Sequence, residues 1–231
     1  MSRNYHGQRV YVVGGSMGIG LAAAEAFAAR GAEIVLFARG VEKLEQAVLR
    51  VRAAALGDEQ RVEFRVLDVT ATDEVGSTLD DVVAEFGAPD VLVNCAGRAR
   101  PDYFEKIDAE QFRETLAVNL HGIWNVTQAL LPHMKERGGI IVNTASLTGL
   151  IGIFGYTDYS AAKFAVVGLS EALRAELKRH GIQVFVLCPS DTDTPGFTEE
   201  NREKPPETHA VSEGVALATP ETVASALLSG I

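Results

Sequence analysis

The sequence is poor in cysteine and in positive charge, and each shortage excludes a class of protein. Only two cysteines, Cys95 and Cys188, occur in 231 residues, and both stand in apolar runs without the paired spacing of zinc ligands. We therefore expect reduced packing cysteines in a cytoplasmic protein, and no metal site. Lysine and arginine total 21 against 31 acidic residues, a net charge of -10, so nucleic-acid binding is not expected.

Long hydrophobic runs are also missing. No apolar stretch approaches the roughly 18 residues of a membrane-spanning helix, and residues 1–8 lack the charged and then apolar pattern of a signal peptide. Hydrophobic residues nevertheless make up 47% of the chain, enough for a buried core. We expect a soluble, cytoplasmic protein; whether it attaches to the cytoplasmic face of a membrane stays open.

Short apolar runs alternate with longer amphipathic stretches along the chain, which indicates an α/β protein. The predicted strands are 9–13, 33–37, 62–67, 91–94, 139–144 and 183–187. The predicted helices are 18–30, 41–55, 71–86, 109–135, 158–180 and 220–229. Unbroken apolar strands are typical of a parallel sheet that helices cover on both faces. We predict one domain over residues 1–231, a three-layer doubly wound parallel sheet, with ligands beyond the carboxyl ends of its strands.

The pattern changes after the sixth predicted strand. Residues 189–211 are rich in Pro, Thr, Asp and Glu and lack a long apolar period, so we predict a flap with short helical pieces, extending to about residue 215. The last helix has Thr219 as its N-cap and Pro220 in its first position.

A glycine-rich turn follows the first predicted strand. Residues 14–20 read Gly-Gly-Ser-Met-Gly-Ile-Gly and lead into a predicted helix. Glycines let a backbone approach a pyrophosphate closely, and the N-terminus of a helix supplies unpaired N–H groups. The turn therefore predicts dinucleotide binding. The alternative is a glycine turn that only packs a helix on a strand.

Three motifs together resemble the short-chain dehydrogenase/reductase family. They are the turn at 14–20, Asn-Cys-Ala-Gly at 94–97, and Tyr-Ser-Ala-Ala-Lys at 159–163, in the family's order. Val13 stands where the family usually has threonine. The resemblance implies a Rossmann fold, a nicotinamide cofactor, and interconversion of ketones and alcohols by hydride transfer.

The same resemblance implies four catalytic residues. Tyr159 would protonate the carbonyl oxygen, Lys163 would assist it and bind the nicotinamide ribose, Ser146 would polarise the carbonyl, and Asn119 would hold a water. Tyr159 and Lys163 are four residues apart on a predicted helix, and a nearby ammonium is expected to lower the pKa of the tyrosine. The alternatives are a solvated Tyr–Lys pair, a serine that ends a strand, and an asparagine on a polar helix face.

Arg39, at the end of the second predicted strand, favours NADPH over NADH. An acidic residue there would accept hydrogen bonds from ribose hydroxyls, whereas a guanidinium offers donors to a 2′-phosphate. A solvated surface arginine is the alternative. The resemblance implies adenine contacts from Asp68 and Val69, a ribose wall from Asn94 and Gly97, and carboxamide contacts from Thr192 and Thr194. The other expected cofactor-binding residues are Gly14, Ser16, Met17, Gly18, Ile19, Gly20, Lys43, Ala96, Tyr159, Lys163 and Pro189.

Two further runs, 152–157 and 189–202, resemble the branch of the family that reduces 3-ketosphinganine to sphinganine in sphingolipid biosynthesis. Ser190 replaces a usual glycine there. For this long-chain aminoketone, we expect an apolar loop and one flap residue to line an alkyl channel, unless they are ordinary core residues. These residues are Leu150, Ile151, Ile153, Phe154 and Phe197. Asp191 or Asp193 would pair with the substrate ammonium, unless these carboxylates only cap turns.

Rival functions remain open at this point. One is a 3-oxoacyl-carrier-protein reductase or another hydroxyacyl or steroid dehydrogenase. A carrier protein would need a basic docking patch, for which Arg98, Arg100 and Lys135 are scattered candidates. Another is a cofactor-sensing binding protein without turnover. The resemblance also implies a homodimer or homotetramer, and a seventh strand that this sequence lacks, so a trimmed strand or membrane tail cannot be judged.

Overall fold

Six parallel strands form one sheet in the part of the chain that the structure describes. This computed structural model describes residues 4–214 and 216–231. The strands are β1 (Arg9–Val13), β2 (Glu33–Ala38), β3 (Val62–Val66), β4 (Val91–Asn94), β5 (Gly139–Thr144) and β6 (Ile182–Leu187). Their order is β3-β2-β1-β4-β5-β6, and every neighbouring pair is parallel. The chain reverses its direction of winding between β1 and β4, so the predicted doubly wound sheet is confirmed.

Helices cover both faces of this sheet. They are α1 (Gly18–Ala28), α2 (Val41–Ala54), α3 (Thr72–Phe86), α4 (Ala109–Leu116), α5 (Gly122–Met134), α6 (Thr157–Leu177), α7 (Pro195–Glu200), α8 (Pro206–Glu213) and α9 (Pro220–Gly230). Successive side chains of β1 point to opposite faces. Val10 and Val12 pack in the core under α1, α2 and α9, whereas Tyr11 and Val13 pack in the core under α3 and α5. The prediction of three layers is therefore confirmed.

The single helix predicted over 109–135 is interrupted. A π-helical segment, Ala117–His121, separates α4 from α5. A π segment widens one turn of a helix and is frequent at functional sites. Asp108 caps the start of α4 by accepting a hydrogen bond from the Gln111 N–H at 2.8 Å. The interruption places Asn119 in the widened turn.

Two short helices, α7 and α8, form most of the segment that follows β6. Thr194 caps α7 by accepting a hydrogen bond from the Phe197 N–H at 3.0 Å. Thr219 caps α9 in the predicted way, with the Thr222 N–H at 3.2 Å and Pro220 in the first position. None of the helices among the described residues is long and apolar enough to cross a membrane.

Candidate active site

A cleft of about 1420 Å³ opens beyond the carboxyl ends of the strands. The glycine turn after β1, the loops after β2 to β5, and the segment after β6 line it. This is the edge at which a doubly wound sheet binds its ligands. Across the described residues, no group of three or more His, Cys, Asp or Glu side chains is placed to hold a metal ion.

The glycines of the turn at 14–20 are required by close backbone contacts. Gly14 has a φ of +81°, and a Cβ there would lie 2.6 Å from the Ala96 nitrogen. A Cβ at Gly20 would overlap the Gly14 carbonyl oxygen. Gly18 has a φ of +54°, and its Cβ would lie 3.0 Å from the Thr194 side chain. Larger residues would therefore break the contact between the turn, β4 and the segment after β6.

The N-terminus of α1 fits a pyrophosphate. Its N-cap residue, Met17, makes no capping hydrogen bond through its side chain, and the first turn carries no acidic residue. Unpaired N–H groups and the positive end of the helix dipole favour an anion there. Ser16, Met17 and Ile19 line the cleft beside the three glycines. A dinucleotide therefore fits the cradle that the turn and α1 form.

Two cations stand where β2 leads into α2. Arg39 and Lys43 line the cleft, and the Arg39 side chain is 68% exposed, so it is free to bind a ligand. Its Nη1 lies 4.0 Å from Asp68 Oδ2. Burial opposes ionisation of Asp68, but hydrogen bonds from Thr70 and the charge of Arg39 lower its pKa overall. Asp68 and Val69 line the cleft as expected.

Tyr159 and Ser146 meet in the cleft, Tyr159 in the first turn of α6 and Ser146 just after β5. Both side chains line the cleft, and the Ser146 hydroxyl is near enough to Tyr159 to affect its pKa. Burial raises the pKa of Tyr159, the charges of Glu200 and Asp191 raise it further, and the neighbouring Ser146 hydroxyl opposes them. The expected lowering of this pKa by Lys163 is therefore wrong for this structure, because loss of solvation has the largest effect. The phenol keeps its proton at neutral pH.

Lys163 lies one turn of α6 beyond Tyr159 and is 3% exposed. Its Nζ donates a hydrogen bond to the Thr144 carbonyl oxygen at 2.9 Å and lies 5.4 Å from the centre of the Tyr159 ring. Burial lowers the pKa of Lys163 to about 8. A Cβ at Gly97 would lie 3.4 Å from this Nζ, so the loop after β4 packs directly on the ammonium.

Asn119 is fully buried beside that loop, so a solvated polar face is excluded for it. Its Nδ2 donates to the Arg98 and Thr115 carbonyl oxygens at 2.8 and 2.9 Å, and its Oδ1 accepts from the Arg98 N–H at 3.3 Å. A Cβ at Gly97 would lie 2.7 Å from this Oδ1. Asn119 therefore connects the π segment to the loop that carries Gly97.

Asn94 lies beneath the cleft, away from its predicted position in a ribose wall. Its Nδ2 donates to Asn143 Oδ1 at 2.9 Å, inside the sheet and buried. Residues 95–97 line the cleft in its place. The side chain of the last residue of β4 follows the pleat into the core, and only the loop beyond it reaches the ligand side.

The predicted substrate residues divide between the cleft and the surface. Ile153, Asp191 and Phe197 line the cleft, as do the predicted cofactor contacts Pro189, Thr192 and Thr194. Phe154 is 50% exposed and its ring packs edge-on against Tyr103, outside the lining of the cleft. Leu150 and Ile151 are also exposed and lie outside the lining, so the expectation that they line an alkyl channel is wrong. Asp193 is exposed and lies outside that lining too, because its backbone pairs with Ala218 and turns the side chain to the surface.

Two cleft residues, Tyr156 and Glu200, and the buried Lys204 behind them were missed at the level of sequence. Tyr156, immediately before α6, donates a short hydrogen bond to Glu200 Oε1. The same oxygen lies 3.2 Å from Lys204 Nζ. The spacing of Glu200 and Lys204, four residues apart, indicates an ion pair, but the contact to Tyr156 across 44 residues is visible only in the fold.

The sequence is similar to that of a known family of dehydrogenases and reductases. Residues 8–205 match the family model described as short chain dehydrogenase. A "3-dehydrosphinganine reductase" from Danio rerio is 43% identical over 221 residues, 95% of this chain and 67% of the relative. A "3-ketodihydrosphingosine reductase" from Mus musculus is 39% identical over 224 residues, 96% of this chain and 68% of the relative.

A solved variant of actinorhodin polyketide ketoreductase, crystallised with NADPH, has a TM-score of 0.88 and 30% identity. The match covers 99% of this chain and 90% of that structure. The family model and the similarity to these relatives both extend over most of the chain. The chain belongs to the short-chain dehydrogenase/reductase family.

Proposed function

We propose that this protein reduces the C3 ketone of 3-ketosphinganine to the alcohol of sphinganine, with NADPH as hydride donor. The similarity to reductases named for this substrate supports the assignment. One observation carries it: the hydroxyls of Ser146 and Tyr159 share a cleft with the glycine turn and with the carboxylate of Asp191. The cleft thus contains the proton donor, the cradle for the cofactor and a partner for the substrate ammonium.

The residues of the cradle fit a phosphorylated dinucleotide. The turn at 14–20 and the N-terminus of α1 would hold the pyrophosphate, and Arg39 with Lys43 would hold the 2′-phosphate. Asp68 and Val69 would contact the adenine, Ala96 and Gly97 the ribose, and Pro189, Thr192 and Thr194 the carboxamide end. NADPH, when bound, supplies the hydride.

Ser146 and Tyr159 act on the carbonyl oxygen of the substrate. Ser146 donates a hydrogen bond that polarises the carbonyl, and Tyr159 gives its phenolic proton to the alkoxide as it forms. The tyrosine is protonated at neutral pH and can therefore act as the acid. Lys163 orients the cofactor ribose, and Asn119 holds the loop against which the ammonium of Lys163 packs.

The substrate would lie on the side of the cleft that α7 forms. Ile153 and Phe197 offer apolar surface to the alkyl chain, and Asp191 offers a carboxylate that makes no ion pair with any described residue. An ammonium on the carbon next to the ketone would reach that carboxylate while the carbonyl oxygen stays at Tyr159. Phe154 and Asp193 do not contact the substrate in this proposal, because they lie outside the lining of the cleft.

Carrier-protein reduction, the nearest rival, receives less support. Arg98 and Arg100 both pair with Glu114, which cancels much of the positive charge that an acidic carrier would need. Lys135 lies at the far end of α5. These cations therefore form no concentrated basic patch at the cleft.

Substrate and cofactor panels test the proposal. The purified protein is assayed for oxidation of NADPH and of NADH with 3-ketosphinganine and with an acetoacetyl thioester, by the loss of absorbance of the reduced cofactor. We expect the highest kcat/KM for NADPH with 3-ketosphinganine. A higher value with the thioester would favour the carrier-protein rival, and cofactor binding without turnover would favour a sensor.

We also propose that the protein forms a homodimer or homotetramer and binds peripherally to the cytoplasmic face of a membrane. Phe112, Trp124 and Phe164 lie on α4, α5 and α6 and are 41%, 52% and 47% exposed, as expected of a helical dimer interface. Leu150 and Ile151, in the loop after Ser146, are 53% and 52% exposed and offer apolar surface to a lipid layer. Light scattering and vesicle sedimentation test the two proposals separately.

A further inference from the structure

Glu200 is the last residue of α7 and lines the cleft on the side of Asp191. Its Oε1 accepts the hydrogen bond from the Tyr156 hydroxyl and faces Lys204 Nζ at 3.2 Å. Within the described residues, its Oε2 makes neither a hydrogen bond nor an ion pair. The carboxylate is therefore held by one oxygen, and the other is available to a ligand.

Lys204 is the cationic partner of the Glu200 carboxylate within the protein. Its side chain is 0% exposed, and Nζ lies 4.1 Å from the centre of the Phe197 ring and 5.7 Å from that of Tyr156. A buried ammonium of this kind stays paired with its carboxylate, because separating the two would leave a buried charge without a partner. Glu200 is thus fixed in place by the residues behind it.

Glu200 is close to the reacting hydroxyl. The Tyr156 ring, which carries the hydrogen bond to Glu200, lies 5.9 Å from the Tyr159 ring between centres. The charge of Glu200 raises the pKa of Tyr159, and that of Asp191 does so to a smaller extent. Both carboxylates therefore act electrostatically on the place where the substrate carbonyl is protonated.

On the side of the cleft that α7 forms, the carboxylates near Tyr159 outnumber the cations. Asp191 and Glu200 contribute two carboxylates, and Lys204 contributes one buried cation. The neighbouring arginine, Arg202, pairs with Glu199 and adds nothing to the balance. On this side of the cleft one carboxylate therefore has no cationic partner among the described residues, because the other cation near Tyr159, Lys163, donates its hydrogen bond to the Thr144 carbonyl oxygen. An ammonium on the substrate would supply that partner.

We infer that Glu200, together with Asp191, binds the ammonium next to the substrate ketone and makes the enzyme selective for aminoketones. The inference rests on the proposed function and deepens it. An ammonium on the adjoining carbon lies within a few ångströms of the carbonyl oxygen, so a substrate held by Ser146 and Tyr159 presents its positive charge to these carboxylates. A ketone without the amine gains nothing from them.

A pair of matched substrates tests this. Wild type and Glu200→Gln are assayed with NADPH and either 3-ketosphinganine or 1-hydroxyoctadecan-3-one, which keeps the chain, ketone and terminal hydroxyl but has hydrogen in place of the amine. We expect Glu200→Gln to raise KM for the aminoketone about 10- to 100-fold, the range of a hydrogen bond to a charged group, with a smaller change in kcat. KM for the deaminated ketone should stay within about 2-fold.

Two further variants separate recognition from folding. The control Glu199→Gln/Arg202→Gln removes an exposed neighbouring ion pair without changing the net charge, and should leave both KM values unchanged. Glu200→Gln combined with Lys204→Met removes both buried charges, so that no unpaired lysine remains, and should keep the selective loss of the aminoketone. A double variant that regains wild-type KM for the aminoketone overturns the inference.

The outcomes distinguish this inference from the function on which it rests. Equal effects of Glu200→Gln on both ketones, or none on either, overturn the role of Glu200 while leaving 3-ketosphinganine reduction intact. If wild type reduces neither ketone but reduces a β-ketoacyl thioester, the proposed function fails, and the inference fails with it.

Discussion

Lys163 donates its hydrogen bond to the carbonyl oxygen of Thr144, at 2.9 Å, and makes none to the hydroxyl of Tyr159. The last residue of β5 thus holds the ammonium, 5.4 Å from the centre of the tyrosine ring. The tyrosine is left with its proton, as a reductase requires. Under the proposed function, Lys163 would bind the cofactor ribose from the position in which this hydrogen bond to Thr144 holds it.

The first prediction concerns the pH dependence of stability. The pKa of Lys163 falls from 10.5 to about 8 on folding, so between these pH values the unfolded chain carries a proton that the folded chain has lost. Raising the pH through this window therefore stabilises the fold, by about 1.4 kcal/mol per pH unit at most. In Lys163→Met this contribution is absent.

Urea unfolding of wild type and Lys163→Met at pH 7, 8, 9 and 10 measures this contribution of Lys163 to the stability. The free energy of unfolding of wild type should rise relative to the variant above about pH 8, and the difference should be constant below it. Because the raised tyrosine pKa values are common to both proteins, they cancel in the comparison. A difference that does not change with pH would contradict the burial cost assigned to Lys163.

The second prediction concerns the glycine turn. The added Cβ in Gly20→Ala would overlap the Gly14 carbonyl oxygen, so the turn must move away from the cradle. We expect a loss of about 1–3 kcal/mol of stability and weaker NADPH binding by at least about 10-fold, measured by calorimetry.

Gly168→Ala is the matched control. Gly168 is in the middle of α6, and a Cβ added there would meet no atom within 4 Å beyond the backbone of its own helix. Alanine at this position should therefore stabilise the helix by about 0.5–1 kcal/mol and leave NADPH binding unchanged. Similar losses of NADPH binding in Gly20→Ala and Gly168→Ala would contradict the claim that the turn has no room for a Cβ at Gly20.

The third prediction concerns the choice between cofactors. Arg39→Asp replaces the donors at the end of β2 by a carboxylate that repels a 2′-phosphate. We expect kcat/KM with NADPH to fall about 10- to 100-fold and that with NADH to hold or rise. Arg50→Ala, in α2 but paired with Glu25, is the control. An unchanged NADPH/NADH ratio in Arg39→Asp would assign the 2′-phosphate to another residue.

The strands and the glycine turn could be predicted from the sequence because each follows from a local pattern. An apolar run such as 34–37 has few alternatives to a buried strand, and β2 is observed at Glu33–Ala38. The order of the strands follows from the doubly wound arrangement. Arg39 could be assigned from its place at the end of a predicted strand, whereas Ser146 and Tyr159 were assigned by the resemblance of their motifs to the family; all three line the cleft.

Other parts of the site depend on contacts that a local pattern does not carry. The π segment around Asn119 is set by tertiary packing within a stretch that is helical throughout by its periodicity. The inward turn of Asn94 depends on the pleat at the end of β4. Glu200 and Tyr156 are distant in sequence, and only the seating of α7 against the start of α6 joins them.

The central claim is that Tyr159 is the proton donor of an NADPH-dependent reduction of 3-ketosphinganine. Its most direct test compares wild type, Tyr159→Phe and the control Tyr103→Phe, by NADPH oxidation and by mass spectrometry of sphinganine. Tyr103 lies outside the lining of the cleft. We predict a loss of about 10²- to 10⁴-fold in kcat for Tyr159→Phe, with NADPH affinity retained, and little change for Tyr103→Phe. Sphinganine formed by Tyr159→Phe at the wild-type rate would contradict the account.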